Sequence, residues 1–123
     1  MNAEEKAELN RTMAATVMGW IYHQEKPCRK GVETSAFAMW SCGSTSRLVS
    51  DWNPCENPAD AFAVLKACMH HHGAIRVHKI KEDEWQVHAL SLELNSLGVI
   101  AETLELAICR FAQSAFKPTT EGA

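Results

Sequence analysis

The stretch NPADAFAVLKACMHHHG, Asn57 to Gly73, constrains the fold more than any other part of the chain. Asn57 suits an N-cap, where a short side-chain oxygen accepts a free backbone N–H of the first turn. Pro58 follows at the first helical position, where a missing N–H loses nothing, and Asp60 lies near the positive helix end. Gly73 supplies a left-handed stop at the other end. A helix is thus bounded on both sides, and its apolar stripe is expected along Phe62, Leu65, Cys68 and Met69.

The flanking segments carry two kinds of periodicity. Asn2 followed by Glu5 has the form of a capping box. Leu9, Met13, Val17, Trp20 and Ile21 then recur at helical spacing with Met18 beside them, which predicts a first helix over residues 3–24. QEKPCRKGVE reads as a loop broken by Pro27 and Gly31. SAFAMWS and RLVSDW flank CGST as the strands of a hairpin. Phe37 and Met39 alternate with Ala38 and Trp40, so both faces are apolar and a sheet covered on both sides is expected.

Beyond Gly73, AIRVHKIKEDEWQVHALSL predicts a second hairpin turning at Glu82 to Glu84. Ile75 and Val77 share a face that Trp85, Val87 and Ala89 continue, and GVIA adds a fifth strand. Thr103 can cap a third helix with Leu104, Ile108, Phe111, Ala112, Ala115 and Phe116 as its stripe and Pro118 as its stop. The expected order is α-β-β-α-β-β-(β)-α. That is an α+β domain with three helices and one antiparallel sheet of four to five strands. At 123 residues the chain reads as a single domain, 1–123, with residues 1–12 free to project and 117–123 as a flexible tail.

Composition removes several classes of function. The formal net charge is −3, so no basic surface awaits a nucleic-acid polymer. MNAEEKAEL is acidic and lacks the apolar centre of a signal peptide. No run approaches the roughly 18 apolar residues of a membrane helix, so no membrane partner and a cytoplasmic location are expected. The five cysteines are odd in number and form no CxxC pair, so reduced thiols are expected.

The segment KACMHHHGAIRVH, Lys66 to His78, holds one Cys and four His. Cys68, His71 and His72 lie three and four residues apart on one helical flank, a spacing zinc accepts. The plainer reading is a helix terminus, where His complements the last carbonyls and Cys68 is a small core residue. No HExxH or second paired motif supports a metal. His78 and His88 fall opposite each other if the second hairpin centres on Asp83, with Arg76 and Gln86 on the same face. Two imidazoles and a guanidinium there could hold an anionic ligand. The alternative is a solvated sheet face. SCGSTSR, Ser41 to Arg47, could form an anion nest or be simply a turn. Glu82, Asp83 and Glu84 are solvated tip charges. The four tryptophans, Trp20, Trp40, Trp52 and Trp85, are either core anchors or, at Trp52 first, a stacking surface.

Three short motifs in order carry a resemblance. VMGW runs from Val17 to Trp20, WNP from Trp52 to Pro54 with Ala59, Asp60 and Ala61 behind it, and Thr103 leads to Ala107, Ile108, Cys109 and Arg110. Together they resemble the phage ABA-sandwich domain family over roughly residues 13–115. Cys55 stands where the family has Ser, and Glu105-Leu106 replaces a Pro-Glu pair. The resemblance implies an α/β/α sandwich and a bacteriophage or prophage origin. It carries over no catalytic residue.

The expected function is that of a non-enzymatic, phage-encoded binding protein, a counter-defence protein sequestering a host nucleotide signal in the cytoplasm of the infected bacterium. Arg47, Trp52, Arg76, His78 and His88 are the candidate contacts, Arg for phosphate and Trp for a base. A homo-oligomer with sites at subunit edges and no cofactor is expected. The second expectation, from a different class, is an interaction module that blocks a host or phage enzyme through an exposed apolar patch. A small metal-dependent enzyme on Cys68, His71 and His72 ranks third.

Overall fold

The computed structural model describes residues 1–25, 37–90 and 98–116. Asn2 Oδ1 accepts the Glu5 N–H at 2.8 Å and starts α1, Ala3–Thr12. The helix then widens into one π-helical turn, Met13–Val17, in which the Met18 N–H reaches the Met13 carbonyl at 3.0 Å. Leu9, Met13, Ala14 and Val17 form its buried stripe.

The first helix does not run to residue 24. Gly19 takes a φ of +70°, a conformation that favours glycine, and turns the chain out of the helical path. Ile21–Glu25 become β1 instead, pairing antiparallel with β2, Phe37–Cys42, in the register Ile21↔Ser41, Tyr22↔Trp40 and His23↔Met39. Ile and Tyr are good strand formers once a partner edge exists. Residues 26–36, which hold Cys28, the rest of the expected loop and the start of the expected SAFAMWS strand, lie outside the described residues, as do Pro118 and the rest of the 117–123 tail.

A two-residue turn, with Gly43 at φ +75°, joins β2 to β3, Thr45–Leu48. The second expected strand, RLVSDW, is shorter than expected: Val49–Asp51 forms a 3-10 turn. The sheet order is β1-β2-β3. Trp40 is buried on one face, while Ile21 and Leu48 on the other are exposed. Cover on both faces is therefore not found among the described residues.

Helix α2, Pro58–His72, has the predicted ends: Asn57 Oδ1 accepts from Ala59 N at 2.9 Å and Asp60 N at 3.3 Å, and Gly73 sits at φ +82°. Its buried line differs from the predicted one. Ala61, Val64 and Cys68 face inward with Asp60, whereas Phe62 is 49% and Met69 46% exposed. Helix α2 packs on α3 and on the π-helical turn, and this buried line is made of small and medium side chains.

The second sheet has the order β4-β5-β6, formed by Ile75–Lys81, Glu84–Ala89 and Gly98–Ala101. GVIA is a strand, as expected. Lys81 pairs with Glu84 but Lys79 pairs with Trp85, so the ladder slips between Lys79 and Lys81. Val77, Val87 and Val99 align across the sheet, as do Trp85 and Ala101. They point toward α3, Leu104–Ala115, whose first turn is capped by Thr103 Oγ1 accepting the Leu106 N–H at 3.2 Å. Leu106, Ala107, Ile108, Cys109, Phe111 and Ala112 bury nearly the whole circumference of α3. A helix apolar all round belongs inside. It packs against β5, β6, α2 and the π-helical turn.

The fold is thus α+β with three helices. The described strands form two three-stranded antiparallel sheets rather than one of four to five. The extra strand is β1, made from residues whose spacing reads as helix. Among the described residues no helix is long and apolar enough to cross a membrane.

Candidate functional site

The five expected contacts divide between the two sheets. Arg76, His78 and His88 come together on β4 and β5; Arg47 and Trp52 lie at the first sheet and the loop beyond it. Side chains on a strand alternate between faces, so the Val77 face packs on α3 and the next residues point away from it. Arg76 faces His88, and His78 faces Gln86. The two histidines are therefore diagonal neighbours, not opposite each other. The pairing centres on residue 82 rather than Asp83: the turn closes on Lys81↔Glu84, half a residue early, and the slip at Lys79/Lys81 adds the other half, which the sequence reading could not anticipate. All four side chains still share one face.

On β6 that face continues through Gly98 and Ile100. A side chain at Gly98 would stand 3.6 Å from Gln86 Nε2 and from His88 Cδ2, so glycine leaves a shallow dip between two hydrogen-bonding groups. Arg76 and His78 are exposed, Gln86 and His88 half-buried, and Ile100 is 50% exposed. None of Arg76, His78 and His88 forms an ion pair with a described residue; alternation along β5 also places Glu84 on this face, at its hairpin end, where it is paired with Lys81 at 3.7 Å. The result is a patch of four donors, open to solvent, on a molecule that is acidic as a whole.

Arg47 and Trp52 are committed to the protein itself. Arg47 Nη2 donates to Asp60 Oδ1 at 2.7 Å and to the Asp51 carbonyl at 3.1 Å, and its guanidinium lies 5.2 Å from the Trp52 ring centre. Trp52 is buried, packs edge-on against Trp20 at 4.6 Å, and donates its Nε1–H to the Asn10 carbonyl at 2.9 Å. The core reading of Trp52 fits this environment better than the stacking one. Asn10 also binds the same loop through its side chain: its Nδ2 donates to Asn53 Oδ1 at 2.9 Å, and its Oδ1 accepts the Cys55 N–H at 3.1 Å. The WNP motif is therefore a loop pinned to α1.

The histidine run ends α2 against α3. His71 and His72 meet the Phe116 ring edge-on at 5.3 and 4.9 Å, and both ring nitrogens of His72 are buried with no hydrogen-bond partner among the described residues. Cys68 is fully buried, and burial pushes its thiol up to about 12. A protonated, enclosed thiol is a poor nucleophile and a poor ligand. Among the described residues no three His, Cys, Asp or Glu side chains are grouped to hold a metal ion. Cys55 and Cys109 share a hydrogen bond that lowers the Cys55 thiol and, with burial, raises that of Cys109.

A cleft of about 890 Å³ lies between α1, β1–β2 and the Val49–Asn53 segment. Tyr22, Trp40 and Trp52 supply its aromatic wall. Sequence reading missed Tyr22 because it placed that residue on a helix. The signal was present: Gly19 followed within three residues by Ile21-Tyr22 is a turn into a strand. Gln86 was legible as a face neighbour, whereas the Asn10 and Asp60 networks join residues far apart in sequence.

A small α+β domain, with one helix buried between a second helix and a three-stranded sheet, is the class these features define. The chain belongs to the phage ABA sandwich domain family, whose profile matches residues 11–112. Its origin is thus a bacteriophage or prophage. No curated protein and no solved structure matches the chain.

Proposed function

We propose that this is a non-enzymatic binding protein that sequesters a small anionic nucleotide, in a counter-defence role, on the open face of β4–β5–β6. The observation that carries the reading is the patch of Arg76, His78, Gln86 and His88 on one face, whose acid, Glu84, is already paired with Lys81 at the hairpin end. Arg offers a planar fork of donors to phosphate, and imidazole and amide donors supplement it. Arg47 and Trp52 leave the contact set, because each already has its partners within the chain. An open face holds a small ligand weakly, since pockets bury most of a ligand's surface. A second copy laid over the face would enclose it. The same arrangement would add the layer that an α/β/α sandwich requires, so a homo-oligomer with ligand at the subunit boundary belongs to the proposal.

Thermal melting against cyclic dinucleotides, cyclic trinucleotides and ADP-ribose derivatives tests this. Ligand at about 100 times its Kd adds roughly 2.7 kcal/mol, a shift of several degrees for a domain of this size. The expected result is a selective shift, lost in Arg76→Ala, with the ligand recovered intact. A panel without shifts, or a shift that survives Arg76→Ala, removes the reading.

One observation favours a second reading. Phe62 and Met69 stand exposed on one flank of α2 with Leu65 half-buried between them. Apolar residues at this spacing suit a protein target such as a host or phage enzyme. Capture of that target would survive Arg76→Ala and fail in the Phe62→Ala/Met69→Ala double variant.

A further inference from the structure

The α1 cleft has a chemistry different from that of the donor patch. Its four charged residues form two pairs, Lys6 with Glu56 at 3.4 Å and Arg11 with Glu8 at 3.6 Å. No charge in the lining is left over, so nothing there selects an anion. Its volume lies within the range of small-molecule sites. Its wall is aromatic: Tyr22 is exposed, and its ring stands edge-on to Trp40 at 5.5 Å.

Trp40 adds a second, independent observation. It is 2% exposed, and its Nε1–H is buried with no hydrogen-bond partner among the described residues. Buried indole N–H groups usually find an acceptor, and leaving one unmet disfavours the folded state. Trp52, on the same wall, has its acceptor in Asn10. The contrast between two tryptophans of one cleft marks Trp40 as the donor left over for something else.

We infer that this cleft is a second binding site, for a small, neutral, planar heteroaromatic molecule bearing a hydrogen-bond acceptor. The ring lies along Tyr22, and the acceptor meets the Trp40 N–H. Because the nitrogen is covered by its neighbours, seating the acceptor needs a small shift of the surrounding rings, of which Tyr22 is the exposed one. Offset or edge-on aromatic packing supplies the affinity, and the single donor sets the orientation. The site is independent of the anionic patch and stands if that reading fails.

The test is a 1H–15N spectrum of the full chain titrated with neutral heteroaromatic fragments, namely purine, quinoline and quinazolinone, and with benzoate as an anionic control. The Trp40 indole resonance, assigned through Trp40→Phe, is expected to move downfield with purine or quinazolinone. Benzoate is expected to leave it in place. Trp40 is a core residue, so affinity is read in Tyr22→Ala, whose exposed ring is removed without opening the core. A rise in Kd of at least tenfold is expected there, with Arg76→Ala within twofold of the parent. An unmoved Trp40 indole, a Tyr22→Ala affinity within twofold, or preference for benzoate each overturns the inference.

Discussion

Asp60 is the buried charge on which the first sheet and α2 both depend. It is 4% exposed and accepts from Arg47 Nη2 at 2.7 Å and from the Asn53 N–H at 2.9 Å. Removing the acid leaves a guanidinium and a backbone N–H without their acceptor, the expensive half of any hydrogen-bond exchange. Asp60→Ala is expected to lose about 2–3 kcal/mol, seen as a lower urea midpoint with unchanged m-value. A loss below about 0.5 kcal/mol would show that the pair contributes as little as a surface ion pair. Cys68 makes a pH-dependent prediction of known sign. Its thiol is raised from an ordinary 9.0 to about 12 by burial. Both states hold the proton below pH 9; above it the unfolded chain releases the proton and the folded one keeps it. Stability therefore falls between pH 9 and 12, by about 1.4 kcal/mol per pH unit from this group. Urea titrations at several pH values should show the parent losing stability faster than Cys68→Ala by that amount, and parallel curves would contradict the assignment. At this scale sequence gave the caps, because Asn57 and Thr103 act within three residues of themselves. It could not give Arg47–Asp60 or Asn10–Trp52, which are products of the folded chain.

Among elements, the junction from α1 to β1 is decided by one glycine. Nothing lies within 4 Å of where a Gly19 Cβ would be, so a side chain there meets no clash and only the +70° φ opposes it. Gly19→Ala is expected to lose about 1 kcal/mol, and Gly19→Asn clearly less, because Asn tolerates that region. Equal losses for the two would point to packing rather than backbone conformation. The same junction explains the principal misreading of the sequence. Val17, Trp20 and Ile21 fit helical spacing, and periodicity alone extends the helix through a glycine that in fact ends it. Helices α2 and α3 were legible because their N-caps, and for α2 the Gly73 stop, agree with their periodicity. Yet the stripe of α2 was assigned to its largest apolar side chains, whereas its buried line is Ala61, Val64 and Cys68. Size marks hydrophobicity, but close approach of two helices selects small residues. The second hairpin was legible in its faces and displaced in its register. Alternation survives a shift of the pairing by two residues in sum, so the donor set kept its membership while the partners changed.

For the molecule as a whole, α3 is the common wall: it touches α1, α2, the π-helical turn and the sheet β4–β5–β6. The sheet's other face, carrying the donor patch, meets no described helix. Which strands share a sheet is a non-local property, and this is why alternation and caps yielded α+β but not the division into two sheets. That division has a measurable energetic signature. Phe111 is fully buried on α3, so Phe111→Ala removes a ring from the point where the layers meet. A loss of about 3–5 kcal/mol is expected, a large part of what a domain of this length possesses. Ile100 is as apolar but lies on the open face at 50% exposure. Ile100→Ala should therefore stay within about 0.5 kcal/mol of the parent at a protein concentration low enough to keep copies apart. The comparison also tests whether copies associate through that face. If they do, Ile100→Ala becomes destabilising as protein concentration rises, because a partner that binds only the folded chain adds stability by mass action. Melting curves for the parent, Phe111→Ala and Ile100→Ala at two concentrations separate the cases. A concentration-independent cost above about 2 kcal/mol at Ile100 would mean that the face is covered within a single copy, and the open donor patch would then have to be abandoned.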